Sequence, residues 1–277
     1  MEYCNNPSGI SDSDLISVYD ELPLWSAPFG LLLLDTVRLK KDIKILDIGC
    51  GTGFPLLELA QRFGKGSHAW GIDPWEEAAE RIALKKKVMN VENVTMVKGV
   101  AEKLPFKDNF FQLIVSNNGL NNVEDLNRVL SECYRTASNN AQFVFTVNLP
   151  ETMIEFYQVF EETLFALGKK SEIERLHEHI FSKRKLLADW VDVVNDAGFS
   201  VIDIRKNKFD YRFADGTAMF SYYFIRLAFR DCWLKIVSEK DIPEVFGIIE
   251  KKLNKIAEQQ GELRLSVPFA CFDCIKV

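Results

Sequence analysis

Three glycines at alternate positions behind a short apolar run constrain this chain more than any other stretch. Residues 45–55 read Ile45-Leu46-Asp47-Ile48-Gly49-Cys50-Gly51-Thr52-Gly53-Phe54-Pro55. Ile43, Ile45, Leu46 and Ile48 make the near-continuous apolar pattern of a strand covered on both faces. Pro55 and the spacing of Leu56, Leu57, Leu59, Ala60 and Phe63 predict a helix directly afterwards. Strand, glycine turn and helix in succession hold a nucleotide-like ligand. Glycine lets the backbone bend and come close, and a helix N-terminus presents unpaired N–H groups.

The spacing narrows the ligand. A dinucleotide fingerprint needs G-x-G-x-x-G, and a P-loop needs a Lys-Ser/Thr pair after its glycines. Here an acid is followed by G-x-G-x-G, from Asp47 to Gly53, with no lysine behind it. This resembles the first motif of the class I S-adenosylmethionine (SAM) methyltransferases. The resemblance implies that Asp47, Gly49, Cys50, Gly51 and Gly53 surround the methionine part of SAM, whose ammonium and sulfonium suit a nearby carboxylate.

The following elements arrive in the order that resemblance requires. His68-Ala69-Trp70-Gly71-Ile72-Asp73 reads as a second strand ending in an acid, placed to accept ribose hydroxyl protons. In the resemblance Asp73 is the ribose ligand, with Pro74 and Trp75 against the adenine. A helix over residues 76–88 and a strand over 94–99 lead to Val100-Ala101-Glu102-Lys103-Leu104-Pro105-Phe106. This is similar to the family's adenine-edge motif, usually Gly-Asp-Ala-x-x-Leu-Pro-Phe. Val100 stands where the acid belongs, and valine cannot accept the adenine amino protons. Glu102, backbone groups of Ala101, or weaker adenine recognition are the three ways to close that gap. A fourth strand, Phe110 to Ser116, then opens into the polar loop Asn117-Asn118-Gly119-Leu120-Asn121-Asn122. Ser116 and Asn117 are expected to face SAM and Asn118 the acceptor. A helix over 126–137 and a strand over 142–147 complete the parallel core.

The flanks are less regular. Tyr19, Trp25 and Phe29 precede the core and are expected either to cover the site or to pack as an ordinary helix, with Tyr19 and Trp25 as acceptor contacts. Helices are predicted over 151–167, 186–197, 217–237 and 242–259, and strands over 199–213 and 263–277. Residues 151–167 and 217–237 carry a heavy aromatic load, including Phe156 and Tyr223, which suits an acceptor cavity or a homodimer interface. His177 and His179 are general-base candidates by residue type only, so no catalytic residue is assigned.

The resemblance implies a Rossmann-like α/β fold, a seven-stranded mostly parallel sheet with helices on both faces and helical lid insertions. One methyltransferase domain is expected over 1–277. Its parts are a lid segment (1–40), a SAM-binding core (41–150), cap insertions (151–184 and 214–260) and remaining core (185–213 and 261–277). Within residues 43–148 the Ala-Glu-x-Leu-Pro-Phe stretch and the Asn122-Val123 pair look most like the ubiquinone/menaquinone-biosynthesis methyltransferases. SAM is therefore the expected cofactor, and transfer to a small, partly apolar molecule the expected reaction. A SAM-binding protein without transferase activity and an NAD-linked oxidoreductase are the alternatives.

Bulk properties set the remaining expectations. At 277 residues and 47% hydrophobic, the chain can bury a full core, and a net charge of −6 argues against a nucleic-acid partner. The most apolar window, 218–237, contains Arg226, Arg230, Asp231 and Lys235, so membrane insertion is not expected. The first residues lack the pattern of a signal peptide, and a cytoplasmic setting follows. Of six cysteines, Cys271 and Cys274 form the only C-x-x-C pair. No second pair stands at zinc spacing, so no metal is expected.

Overall fold

The computed structural model describes residues 23–277; Tyr19 and the start of the expected lid lie outside them. The described residues form two compact units. One contains the chain up to Asn148 together with Leu186–Asn207 and Phe269–Val277; the other contains Leu149–Lys185 and Lys208–Pro268.

A seven-stranded sheet runs in the order β3-β2-β1-β4-β5-β7-β6. Its strands are β1 (Lys44–Ile48), β2 (His68–Asp73), β3 (Val94–Lys98), β4 (Phe111–Asn117), β5 (Ala137–Asn148), β6 (Phe199–Phe213) and β7 (Leu263–Lys276). The first five pair in parallel, and β7 runs antiparallel to β5 with Phe145 opposite Phe272. The seven-stranded, mostly parallel arrangement is the one the resemblance implies, and its central strands coincide with the apolar runs of the sequence. Ile45, Leu46, Leu113, Ile114, Val115, Phe143 and Val144 are all fully buried, as strands covered on both faces require. β7 continues unbroken through Pro268. Cys271 and Cys274 lie within it as buried free thiols. At the sheet edge, β6 exposes Arg205, Lys206 and Lys208. Like charges along an edge discourage pairing with another strand.

The strand order reverses between β1 and β4, and the loops at their carboxyl ends meet there. A Cβ on Gly119 would lie 2.8 Å from the Ile48 carbonyl oxygen and 2.8 Å from Ser116 Oγ. A Cβ on Gly49 would lie 3.2 Å from the Gly119 Cα. Two glycines therefore let the backbones approach where ligands bind in open parallel sheets.

The second unit is helical: Ile154–Ala166, Lys170–Lys183, Gly216–Ser221, Tyr223–Ala228, Arg230–Leu234 and Ile242–Gln260. Two expectations change here. The helix Lys170–Lys183, not expected from the sequence, has only a thin apolar stripe (Ile173, Leu176, Ile180) among charged residues. The predicted helix 217–237 is three short helices, interrupted at Tyr222 and Phe229. At about 100° per residue, an unbroken helix would point Phe220 and Trp233 to nearly opposite sides. The breaks re-aim both, and Phe220, Phe224 and Trp233 are buried in the unit.

That burial absorbs much of the aromatic load that suggested a cavity or a dimer. Phe156 has no solvent exposure and stacks on Trp233 with centroids 4.0 Å apart. The Trp233 indole N–H donates to the Tyr157 hydroxyl (3.0 Å), and Arg184 donates to the same oxygen (3.2 Å). Tyr223, the other aromatic acceptor candidate, is half-buried. Truncating Phe156 to alanine should cost about 3–5 kcal/mol through the cavity it leaves. Denaturant unfolding of the Phe156→Ala variant checks this; an unchanged midpoint would show that Phe156 is not a core residue.

Candidate active site

The glycine turn is built by backbone conformations that only glycine adopts cheaply. Gly49, Gly51 and Gly53 have φ of 68°, 46° and 103°. The Gly49 and Cys50 N–H groups donate to the Ile72 carbonyl at 2.9 and 3.3 Å, tying the turn to the end of β2. Gly51 N–H donates to Asp73 Oδ2 at 2.9 Å, and Asp73 Oδ1 accepts from Trp75 N–H at 3.0 Å. One carboxylate thus fixes both the turn after β1 and the chain leaving β2. Each of its oxygens keeps a lone pair for a further donor. Pro74 is exposed and Trp75 half-buried beside it, at the start of the helix Glu76–Met89.

Asp47 lies within β1 and is wholly buried, and neither carboxylate oxygen has a hydrogen-bonding partner. Burial raises its pKa well above the ordinary carboxylate range, and the charge of Asp73 raises it further. The Leu56 backbone N–H opposes the shift without completing a hydrogen bond. Among the described residues, neither Asp47 nor Asp73 forms an ion pair. An unpaired buried carboxylate is costly, so two acids without a protein cation suit a ligand that brings positive charge. SAM, with its sulfonium and ammonium, is such a ligand. Cys50 contributes backbone only. Its buried Sγ points to Met96 Sδ (3.4 Å), and burial pushes its thiol pKa upward.

At the β4 end, Ser116 is fully buried and its hydroxyl donates to the Ile48 carbonyl (2.9 Å). The Asn117 amide donates to the Ser26 carbonyl (3.1 Å) and accepts from the Thr146 hydroxyl (3.0 Å). Asn118, with φ of 60°, donates its N–H to Thr146 and accepts from the Asn121 amide. Asn121 also donates to Asn148 (2.7 Å). The sequence pointed to Ser116, Asn117 and Asn118, and it missed Thr146 and Asn148, which sit on the neighbouring strand. Only the register of β4 against β5, with Asn117 opposite Thr146, brings them together.

The helix Pro23–Thr36 closes this end of the sheet unit. A Cβ on Gly30 would fall 2.2 Å from a Phe54 ring atom and 3.2 Å from the Asn117 amide nitrogen. Trp25 is buried on the same helix, with its ring 5.5 Å from Phe29. The helix is apolar nearly all round, and the sequence offered no amphipathic face from which to choose its seat.

Ala101 is buried, and Glu102 spends one carboxylate oxygen on the N–H groups of Glu124 (3.0 Å) and Asp125 (3.4 Å). Arg135 and Glu132 hold the segment behind them. Glu132 accepts from Leu104 N–H (2.8 Å), and Arg135 donates to the carbonyls of Leu104 (3.0 Å) and Phe106 (2.8 Å). His177 is a surface residue paired with Glu161 (2.8 Å), whereas His179 meets the Tyr157 hydroxyl (3.1 Å).

Comparison with known proteins identifies the class. A family model described as a methyltransferase domain matches residues 46–145. The demethylmenaquinone methyltransferase of Listeria welshimeri is 30% identical over 177 residues, covering 60% of this chain and 74% of that protein. That of Anoxybacillus flavithermus is 33% identical over 124 residues, 45% of this chain; the match spans 52% of that relative's length. A SAM-dependent methyltransferase structure from Aquifex aeolicus shares the fold, with a TM-score of 0.55 at 15% identity over 97% of this chain and 100% of that one. The chain belongs to the class I SAM-dependent methyltransferases. Its cofactor is SAM and its acceptor is a small molecule.

The unpaired Asp47 makes a testable pH signature. Its folded pKa is raised, so the protonated form favours folding. That stability is full below the unfolded value of about 3.9 and is lost as pH rises through the folded pKa. Asp47→Asn removes the titration. The stability of the natural protein relative to Asp47→Asn should therefore fall as pH increases above about 4. Unfolding free energies of both proteins across that window check it; a constant difference would mean that Asp47 does not carry the burial penalty.

Proposed function

We propose that this chain transfers the methyl group of SAM to a reduced quinone or a similarly flat, hydroxylated, largely apolar ring. The unpaired Asp47 beneath the glycine turn, next to Asp73, is the observation that supports the cofactor half of the reading. The acceptor half is supported by two relatives named as demethylmenaquinone methyltransferases. Neither the NAD-linked nor the non-catalytic alternative is favoured by the motif spacing and these relatives.

In this reading the methionine part of SAM lies along Asp47, Gly49, Cys50, Gly51 and Gly53, with Ser116 and Asn117 at its far side. Asp73 accepts from the ribose hydroxyls. Pro74, Trp75, Ala101 and Glu102 border the base. The helix Pro23–Thr36, with Trp25, serves as the lid. The single-domain division also belongs to the proposal. Its segments 151–184 and 214–260, with Tyr223, select the acceptor, and Asn118 orients it.

The chemistry asks for alignment more than for a strong base. A sulfonium is already a good leaving group, so placing nucleophile, methyl and sulfur in line supplies much of the rate. In a reduced quinone the ring hydroxyls push electron density onto the ring carbon. That carbon bonds the methyl as the C–S bond breaks, S-adenosylhomocysteine leaves, and the ring proton passes to a base or to water.

The negative net charge speaks against a phosphate backbone as partner. Among the described residues, no helix is long and apolar enough to cross a membrane. Buried, unbridged Cys271 and Cys274 suit a reducing, cytoplasmic setting. A homodimer stays a reading of the half-buried aromatics Tyr222, Tyr223 and Phe229.

SAM at a hundred times its dissociation constant should stabilise the protein by about 2.7 kcal/mol, and NAD should not. Asp73→Asn should weaken SAM binding by about tenfold or more, because a charge-assisted hydrogen bond is lost. Thermal-shift and calorimetric titrations check both; stabilisation by NAD alone would contradict the cofactor. With SAM, an unmethylated naphthoquinol should gain one methyl group by mass spectrometry. Methyl transfer to RNA or DNA, and none to the quinol, would contradict the acceptor.

A further inference from the structure

We infer that this enzyme reads the adenine of its cofactor without a side chain on the exocyclic amino group, so that it binds cofactors altered at that position nearly as well as SAM. The inference rests on the proposed placement of SAM and specifies the base end of that site.

Strand order fixes where the base must lie. A ligand seated on the turn after β1 and held at its ribose by Asp73 at the end of β2 continues towards β3, the next strand and the sheet edge. The groups available there are those following β3. Lys98 is turned to Glu76 in an exposed ion pair (2.5 Å). Gly99 N–H is used by the Asp73 carbonyl (3.1 Å). The Val100 side chain is 50% exposed and offers apolar contact only. The Val100 carbonyl accepts from Lys103 N–H (3.3 Å).

Glu102 is the one acid in this segment, and its position counts against it. Its Oε1 accepts from two successive backbone N–H groups, at Glu124 and Asp125, ahead of the helix Leu126–Thr136. Its carbonyl accepts from Arg128 Nε (3.1 Å). The carboxylate is therefore turned to the 124–125 segment. By contrast, the backbone N–H groups of Val100, Ala101 and Glu102 donate to no acceptor among the described residues.

The segment thus presents backbone donors and an apolar side chain, and its one carboxylate is held by the 124–125 segment. Donors suit the ring nitrogens of adenine, which accept; the amino group needs an acceptor and finds water instead. An amino group left in water at an exposed valine contributes little to affinity, and its removal or alkylation removes little.

The test uses the reaction product S-adenosylhomocysteine and two analogues, one lacking the amino group and one methylated on it, each retaining the ring nitrogens. In the natural protein all three should bind within about threefold of one another by calorimetry, since no charge-assisted bond is at stake. Val100→Asp, at an exposed position, should tighten S-adenosylhomocysteine about tenfold and leave the deaminated analogue unchanged. Glu102→Gln should affect S-adenosylhomocysteine and the deaminated analogue equally. A tenfold or larger loss for the deaminated analogue in the natural protein would overturn the inference, as would a Glu102→Gln effect confined to S-adenosylhomocysteine. Failure of S-adenosylhomocysteine itself to bind would overturn the cofactor placement, and this inference with it.

Discussion

The site depends on one carboxylate that is shared between two turns. Asp73 takes the Gly51 N–H with one oxygen and the Trp75 N–H with the other. The ends of β1 and β2 are parallel neighbours with no hairpin to join them, and the Asp73 side chain adds to the backbone bonds from Gly49 and Cys50 to the Ile72 carbonyl in holding their loops together. A second constraint acts on the other flank of β1. Gly49 and Gly119 bring backbone to backbone: a side chain on Gly119 would meet Ile48 and Ser116, and one on Gly49 would meet Gly119. Between these two contacts the glycine turn has little freedom, and a ligand finds its donors and acceptors already in place.

This rigidity has an electrostatic cost. Asp47 is held in the same small volume without a hydrogen bond, and Asp73 lies close enough for its charge to oppose ionisation. A structural acid would be expected to find an arginine or an amide N–H, as Asp273 does with the Arg38 guanidinium (2.6 Å) and the Gln142 side-chain amide (2.9 Å) in the same unit. Asp47 has neither. In the proposed placement the cofactor is the missing partner, and the cost borne by the free protein becomes a source of selectivity for a cation.

The sequence made some of this legible and hid the rest for physical reasons. β1, the glycine turn, Asp73 and β4 could be read because buried parallel strands leave continuous apolar runs and because positive φ demands glycine. The role of Gly119 could not, because a close backbone approach depends on a partner, Gly49, seventy residues away in the chain. Thr146 and Asn148 were invisible for the same reason: strand register brings them to Asn117 and Asn121. In the helical unit the aromatic richness of 217–237 was plain, but its two breaks follow from which side Phe220 and Trp233 must face. Phe156 lies on a helix rich in rings, and which of them packs on Trp233 is decided by three-dimensional packing and not by spacing.

The central claim is that two carboxylates without a protein cation await a positively charged ligand. Proton exchange on binding tests it most directly. Burial and the charge of Asp73 raise the Asp47 pKa and so favour its protonated form, and the arrival of the sulfonium and ammonium should shift it back towards the ionised form. Calorimetric titration with SAM at a series of pH values upward from the ordinary carboxylate pKa of about 4, in buffers of different ionisation enthalpy, should therefore show net proton release. Binding with no proton exchange, or with uptake, would contradict the account.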